Sequence, residues 1–314
     1  MIHISISLLI LFLGSIVCYI YFSQGVMFSK TSIAPLVLDT PVSSETVRYD
    51  FKTPVVFTLN NKLKEISGLS YNKASNTIYT HNDEKGNIYE VDIDKGEIQN
   101  KFKFGPSRDY EGIAVVQDET VLVENRGDLH FYDNEKGTTV IMNTPLSTKQ
   151  NVEGLCFDED GALLLLACKG KILNKAKGES KKAIYAYDLS TKQLLQEPYL
   201  LIDIKELLST LKLRVPEIKK EDFKKYKSRL KHFSPSGIAL HPKSKDTYII
   251  SAKGSLLLVF NKNLEFTRLV FLDEKQIPQP EGICFDDQQS LYIATEGKTH
   301  RGKIYKYFFA NNLY

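Results

Sequence analysis

From residue 48 onward, short runs of β-branched and aromatic residues recur between polar turns. The runs IYTHN from Ile78, VLVEN from Val121, LLLLAC from Leu163, TYIIS from Thr247 and LYIAT from Leu291 each follow a polar turn and each predicts a strand. A Gly-containing turn and another run come next: NIYEVD from Asn87, LHFYD from Leu129, AIYAYD from Ala183, LLLVF from Leu256 and KIYKY from Lys303. A weaker run closes most units, as in KFKFG from Lys101 and TRLVFL from Thr267.

Before these runs stands a repeated phrase: a small or acidic residue, Gly, an aliphatic residue, any residue, then an aromatic or aliphatic one. It reads Ser67-Gly68-Leu69-Ser70-Tyr71, Glu111-Gly112-Ile113-Ala114-Val115, Glu153-Gly154-Leu155-Cys156-Phe157, Ser236-Gly237-Ile238-Ala239-Leu240 and Glu281-Gly282-Ile283-Cys284-Phe285. The glycines are 44, 42, 83 and 45 residues apart. Four short antiparallel strands at that period describe a propeller blade, which must stack on its neighbours to cover both faces. Five phrases predict an all-β fold, a five-bladed β-propeller of four-stranded blades over 48–314. The segment from Tyr49 to Leu59 has no phrase and is placed to be the outer strand of the last blade, which would remove a free edge. The long gap holds a Lys-rich hairpin from Lys169 to Lys182 and then residues 203–233, which predict a helical insertion after blade three. There Leu207, Leu208, Leu211 and Leu213 share a face, Pro216 breaks the helix, and it restarts from Glu221 to Leu230.

The N-terminus has a different pattern. Residues 4–22 carry no charge, which is enough to cross a hydrocarbon core as a transmembrane helix. Residues 1–25 therefore predict a membrane anchor or signal segment. Small residues at Ser23 and Gly25 leave cleavage open, but the long apolar run without a preceding Lys or Arg favours an uncleaved anchor. Residues 26–47, with recurrent Ser, Thr and Pro, read as a tether. This predicts a cell-membrane protein with its propeller on the extracytoplasmic side. Cys156, Cys168 and Cys284 remain outside the anchor, an odd number without C-x-x-C spacing, so the fold should not rest on disulfides. The charge is +3 from 41 basic and 38 acidic residues, a balance that gives no reason to expect nucleic-acid binding.

The phrases DYEGIAV, VEGLCFD and QPEGICFD, with EISGLSY and IYTHND, resemble the SdiA-regulated family, itself distantly similar to NHL-repeat propellers. The resemblance runs from about Arg48 to the C-terminus. It implies a five-bladed propeller with a calcium site and implies no particular activity.

In a propeller the innermost strands surround an axial channel, so equivalent residues of all blades converge at its rim. The residue before each phrase glycine is Ser67, Glu111, Glu153, Ser236 and Glu281. Carboxylates crowded on an axis repel unless a cation or a proton intervenes. A ring of oxygen donors suits a hard cation, Ca2+ before Mg2+. Glu111, Glu153 and Glu281 are the candidate metal ligands; the bland alternative is that they lock adjacent blades through backbone N–H groups. A second ring falls at the ends of the second strands: Asp83, Arg126, Lys169, Lys253 and Glu296, with His81 and Glu124 just before. This ring is expected at the other end of the same strands, or at the same rim if the register is off by one. Arg126, Lys169 and Lys253 offer charge for an anionic ligand group, or are turn charges in water. His81 is a candidate base or a structural histidine. No G-x-S-x-G, H-E-x-x-H or P-loop is present, so a hydrolase would need a metal-activated water. The insertion, with ten Lys or Arg against five Asp or Glu, offers a basic face for anionic lipid or an acidic partner, or a solvated surface. The reading favoured is a tethered, calcium-binding propeller that recognises a ligand or protein partner at its channel. The alternatives are a metal-dependent hydrolase or lyase acting on an anionic or ester substrate there, and an envelope scaffold.

Overall fold

The structure is a computed structural model that describes residues 36–39, 48–173, 181–214, 216, 218–297 and 300–310. The anchor expected at 4–22 lies outside the described residues. Among those described, no helix is long and apolar enough to cross a membrane.

Five antiparallel sheets follow the five phrases. Blade 1 is Ile66–Asn72, Thr77–Asn82, Asn87–Asp92 and Ile98–Lys103. Blade 2 is Tyr110–Val116, Glu119–Glu124, Leu129–Asp133 and Thr138–Met142. Blade 3 has Val152–Asp158, Leu163–Cys168 and Lys181–Asp188, and its outer strand is split into Gln193–Leu194 and Leu200–Asp203. Blade 4 is Pro235–Leu240, Thr247–Ser251, Leu256–Phe260 and Phe266–Phe271. Leu36–Asp39 adds a fifth strand to its edge, inside the stretch read as a tether. Blade 5 is Pro280–Phe285, Leu291–Thr295 and Lys303–Tyr307, and its outer strand is Val55–Thr58, paired from Thr58↔Lys303 to Val55↔Lys306. The chain's two ends thus share one sheet as expected, although only this part of 49–59 joins it. Arg48–Tyr49 pairs instead with Phe309–Ala310.

The core is divided among the seams between blades. One apolar cluster fills each of the five: Ile88 and Leu122 between blades 1 and 2, Val123 and Leu166 between 2 and 3, Leu165 and Ile249 between 3 and 4, Ile250 and Ile293 between 4 and 5, Ile78 and Tyr292 between 5 and 1. The run LLLLAC shows why. Successive strand residues point to opposite faces, so Leu163, Leu165 and Ala167 pack toward blade 4 while Leu164, Leu166 and Cys168 pack toward blade 2. Blade 3 has no solvated face, and its second strand is apolar throughout. The three cysteines are free; Cys168 and Cys284 are buried and Cys156 is half-buried.

The insertion after blade three is helical. Helix α1 spans Ile204–Arg214 and helix α2 spans Lys220–Lys231. Leu207 and Leu211 of α1 and Tyr226 and Leu230 of α2 are buried in the seam between blades 3 and 4. Leu208 only flanks that cluster, and Leu213 is 79% exposed, so the buried stripe is narrower than the four leucines suggested. Arg229 pins α2 to blade 4: its guanidinium donates to the carbonyls of Gly254 at 2.6 Å, Ser255 at 2.6 Å and Leu272 at 2.7 Å, and pairs with Glu274 at 2.9 Å.

Candidate functional site at the channel mouth

The repeated phrase marks a bulge. In blade 2 Tyr110 pairs with Glu124 and Gly112 with Val123, which leaves Glu111 unpaired. The same skip in register falls at Glu153 in blade 3, at Ser236 in blade 4 and at Glu281 in blade 5. Blade 1 skips from Ile66↔Asn82 to Leu69↔Thr80, so Ser67 and Gly68 share the irregularity. A bulge bends its strand and re-aims the extra side chain. The glycine that follows lets the next blade come close. A Cβ on Gly112 would stand 2.6 Å from Leu155 N, and one on Gly282 would stand 2.6 Å from Ser67 O. Gly68 meets Ile113, Gly154 meets Gly237, and Gly237 meets Glu281, which closes the ring from blade 1 through blade 5.

The three carboxylates of this ring act on one another. Burial pushes Glu111 up to about 9, helped by the charges of Glu153, Asp109 and Glu281 and opposed by Lys169. Burial also raises Glu153, against the pull of Lys169. The Lys169 ammonium lies directly on Glu153 Oε1, and Asn151 Nδ2 donates to the same oxygen at 2.6 Å. Burial pulls Lys169 down, but contact with Glu153 and the fields of Glu111 and Glu281 outweigh it and hold it above the usual lysine range. Glu111 is thus drawn toward its protonated form at neutral pH, while Glu153 has the Lys169 ammonium as its direct partner. The two serines do other work. Ser236 Oγ donates to Pro280 O at 2.6 Å and accepts from Ala252 N at 2.9 Å, and Ser67 Oγ donates to Glu111 O at 3.4 Å. Both hydroxyls are stitches between neighbouring blades or turns. Among the described residues, no three Asp, Glu, His or Cys side chains are gathered closely enough to hold a metal ion.

The second ring lies at this same mouth and not at the far end, because antiparallel pairing sets the start of each inner strand against the end of its second strand. The pairs Ile66↔Asn82, Tyr110↔Glu124, Val152↔Cys168, Pro235↔Ser251 and Pro280↔Thr295 make Asp83, Asn125, Lys169, Ala252 and Glu296 the residues in phase. Arg126 and Lys253 are each one position further into their turns. Arg126 pairs with Asp128 at 2.6 Å. Glu124 is 4% exposed and receives His130 Nε2 at 2.7 Å and Arg108 at 3.1 Å, so it belongs to a structural ion network. His81 is fully buried. Gly68 N donates to its Nε2 at 3.2 Å and its Nδ1 faces Asn82 O at 3.0 Å, which places the proton on Nδ1; burial holds it down at about 4. With both nitrogens committed it is a structural histidine. Asp83 is pushed up to about 6 by burial and by Glu65, Glu84 and Glu296, and its buried Oδ1 has no hydrogen-bond partner.

Two mouth residues come only from the fold. Asp109 adds a third carboxylate, beside Glu153 and Glu281, to the field on Glu111 and accepts from Asn125 Nδ2. Lys182 is carried beside Lys169 by the pairing Cys168↔Ala183, and its Nζ donates to Lys169 O. The far halves of the inner strands enclose a cavity of about 350 Å3 lined by Leu69, Ile113, Leu155, Phe157, Ile238 and Phe285 among others. None of the residues expected to carry chemistry lines it, and the charged mouth remains the candidate site.

The profile of the SdiA-regulated family matches residues 45–149 and 184–299. No curated protein sequence matches the chain. A gluconolactonase from Xanthomonas campestris is similar in structure, with TM-score 0.50 and 12% identity over 88% of each chain. A luciferin-regenerating enzyme matches at TM-score 0.49 and 11% identity, over 82% of this chain and 95% of that one. The virginiamycin B lyase of Staphylococcus aureus matches at TM-score 0.41 and 15% identity, over 81% of this chain and 69% of the lyase. At such identities the likeness concerns the fold alone.

Proposed function

Because the chain belongs to the SdiA-regulated family, whose propeller frames the mouth just described, we propose that it works as a binding module. In this reading it is exported, tethered to the membrane through residues 4–22, and takes a hard cation, Ca2+ first, at the channel mouth where a ligand is recognised. The supporting observation is that Glu111, Glu153 and Glu281 come from three blades to one mouth, where burial and mutual repulsion push Glu111 up to about 9; as they stand the three are not gathered closely enough to hold a metal ion, so a cation would have to draw them in. Such a cluster is stabilised by added positive charge.

The donors fit a hard cation in kind, since all three are carboxylate oxygens. In the arrangement described, a proton on Glu111 and the Lys169 ammonium on Glu153 already supply part of that charge. Cation binding would therefore require Glu111 to release its proton and Glu153 to exchange Lys169. Bound Ca2+ would supply a fixed charge to which an anionic ligand group can add. Asn151 would keep Glu153 oriented through its amide donor.

The test is calcium titration of the full-length protein in detergent. The expected result is a chelator-reversible rise in Tm with proton release near pH 8, both lost in the Glu153→Gln, Glu281→Gln double variant. A Tm that ignores both Ca2+ and EDTA would overturn the cation reading. Ester turnover abolished by chelation would replace binding with metal-dependent hydrolysis, for which His81 would not be the base.

A further inference from the structure

Blades 3 and 4 meet differently from blades 1, 2 and 3. In the earlier seams the carbonyl after the second strand accepts the first N–H of the next inner strand: Asp83 O from Tyr110 N at 2.7 Å, and Asn125 O from Val152 N at 2.9 Å. The equivalent carbonyl in blade 3 belongs to Lys169, and the equivalent donor position in blade 4 is Pro235, which has no N–H. The vacant carbonyl is taken by the side chain of Lys182. A backbone amide has been replaced by an ammonium, and a full positive charge is held half-buried at the mouth.

Other cations stand beside it. Lys253 sits in the turn after Thr247–Ser251, and that turn is fixed: Ser251 Oγ donates to Lys253 O at 2.6 Å, and Ala252 N to Ser236 Oγ at 2.9 Å. Burial pulls Lys182 below the usual lysine range, and the neighbouring charges of Lys253 and Lys169 pull it further. Among the described residues, only Lys169 of the three is set against a carboxylate, Glu153. Arg126, the other cation of the ring, is occupied by Asp128. An oxyanion placed among these ammonium groups would relieve their repulsion and add to the donor use of Lys182, which has three N–H bonds and, among the described residues, one acceptor.

We propose that Lys182 and Lys253, with Lys169 at their edge, form an oxyanion site at the seam of blades 3 and 4 that grips the carboxylate or phosphate of the ligand recognised at the mouth. The site deepens the binding reading and names its ligand class. It depends on that reading for the ligand's place and not on the cation.

The experiment titrates the full-length, detergent-solubilised protein with inorganic phosphate and, separately, with malonate. EDTA is present and ionic strength is fixed with chloride. Saturable rises in Tm are expected, and the stronger of the two assigns the headgroup. Lys182→Met and Lys253→Met should each weaken the apparent Kd about tenfold, as expected for loss of a charge-assisted hydrogen bond. Lys182→Arg, which keeps the charge and a donor for Lys169 O, should retain the response and guards against a folding defect. A saturable shift that persists in the double methionine variant, or no saturable shift with either anion in the wild type, overturns the proposal. Failure of Ca2+ alone to move Tm would remove the cation reading and leave this one standing.

Discussion

Replacing Gly112 with Ala tests whether the repeated glycine sets the approach of neighbouring blades. The added methyl would lie 2.6 Å from Leu155 N, 2.8 Å from Leu155 Cβ and 3.0 Å from Gly154 C. Comfortable carbon contacts begin near 3.5 Å, so blade 3 would have to retreat by several tenths of an ångström. The offending atoms are mostly backbone, held by pairing with Leu163–Cys168 and by Val152 N donating to Asn125 O. Retreat is also blocked from behind, because a Cβ on Gly154 would already stand 2.9 Å from Gly237 Cα in blade 4. Overpacking of this kind costs about 1–3 kcal/mol, offset by up to about 1 kcal/mol from the stiffer unfolded chain. A mid-range cost of about 2 kcal/mol leaves about 1–2 kcal/mol net, and at about 2–4 °C per kcal/mol for a domain of this size Tm should fall by roughly 2–8 °C in circular-dichroism melts at a fixed scan rate. Gly161→Ala is the control, since its methyl would meet only side-chain atoms of Asp158 and Leu163, and it should melt near the wild type. If Gly112→Ala melts at or above the wild type, the close-approach account is wrong.

Other perturbations follow from the same geometry. The folded protein holds the Glu111 proton to about 9 whereas the unfolded chain releases it at the ordinary carboxylate value of 4.5, so its contribution to stability falls as pH rises between those values. Urea midpoints at pH 7 and pH 9 should show a decline in the wild type that flattens in Glu111→Gln; equal slopes would refute it. Removing Arg229 strands three carbonyls and frees Glu274. Arg229→Met should raise amide exchange across 204–233 at least about tenfold, as expected for loss of a charged hydrogen bond, and unchanged exchange would count against the anchoring role. A chain beginning at Asn60 lacks Val55–Thr58 and leaves Lys303–Tyr307 as an open edge. It should associate in light-scattering measurements where the longer chain does not.

The blade count was legible because one local device, a bulge followed by a glycine, is written five times, at 42 to 45 residues except for the one gap of 83 that holds the insertion. The closing strand was legible because a strand-like segment stood without a phrase of its own. The mouth was harder to read. Arg126 and Lys253 fall out of phase because the second strands of blades 2 and 4 end at Glu124 and Ser251, which puts Asn125 and Ala252 at the positions in register with the other blades. Lys182 was legible only as the far end of a hairpin that begins at Lys169, and the strand pairing is what shows both ends at the mouth. A proline at the head of an inner strand was the available clue, since Pro235 removes a donor that the seams of blades 1 and 2 and of blades 2 and 3 use. Leu36–Asp39 gave no sign, being a short run in a Ser- and Pro-rich stretch with no period around it.

The shared last sheet imposes an order on biogenesis. Val55–Thr58 leaves the ribosome early and has no partner until Lys303–Tyr307 has been made. Blades 1 to 4 can pair their own strands as they emerge, but the ring cannot be sealed until nearly the whole polypeptide exists. Until then Val55–Thr58 and Arg48–Tyr49 wait unmated and one seam stays wet, the kind of non-local contact that slows folding and exposes edges to other chains. A helper that shields the waiting strand during synthesis would act here before any other part of the molecule.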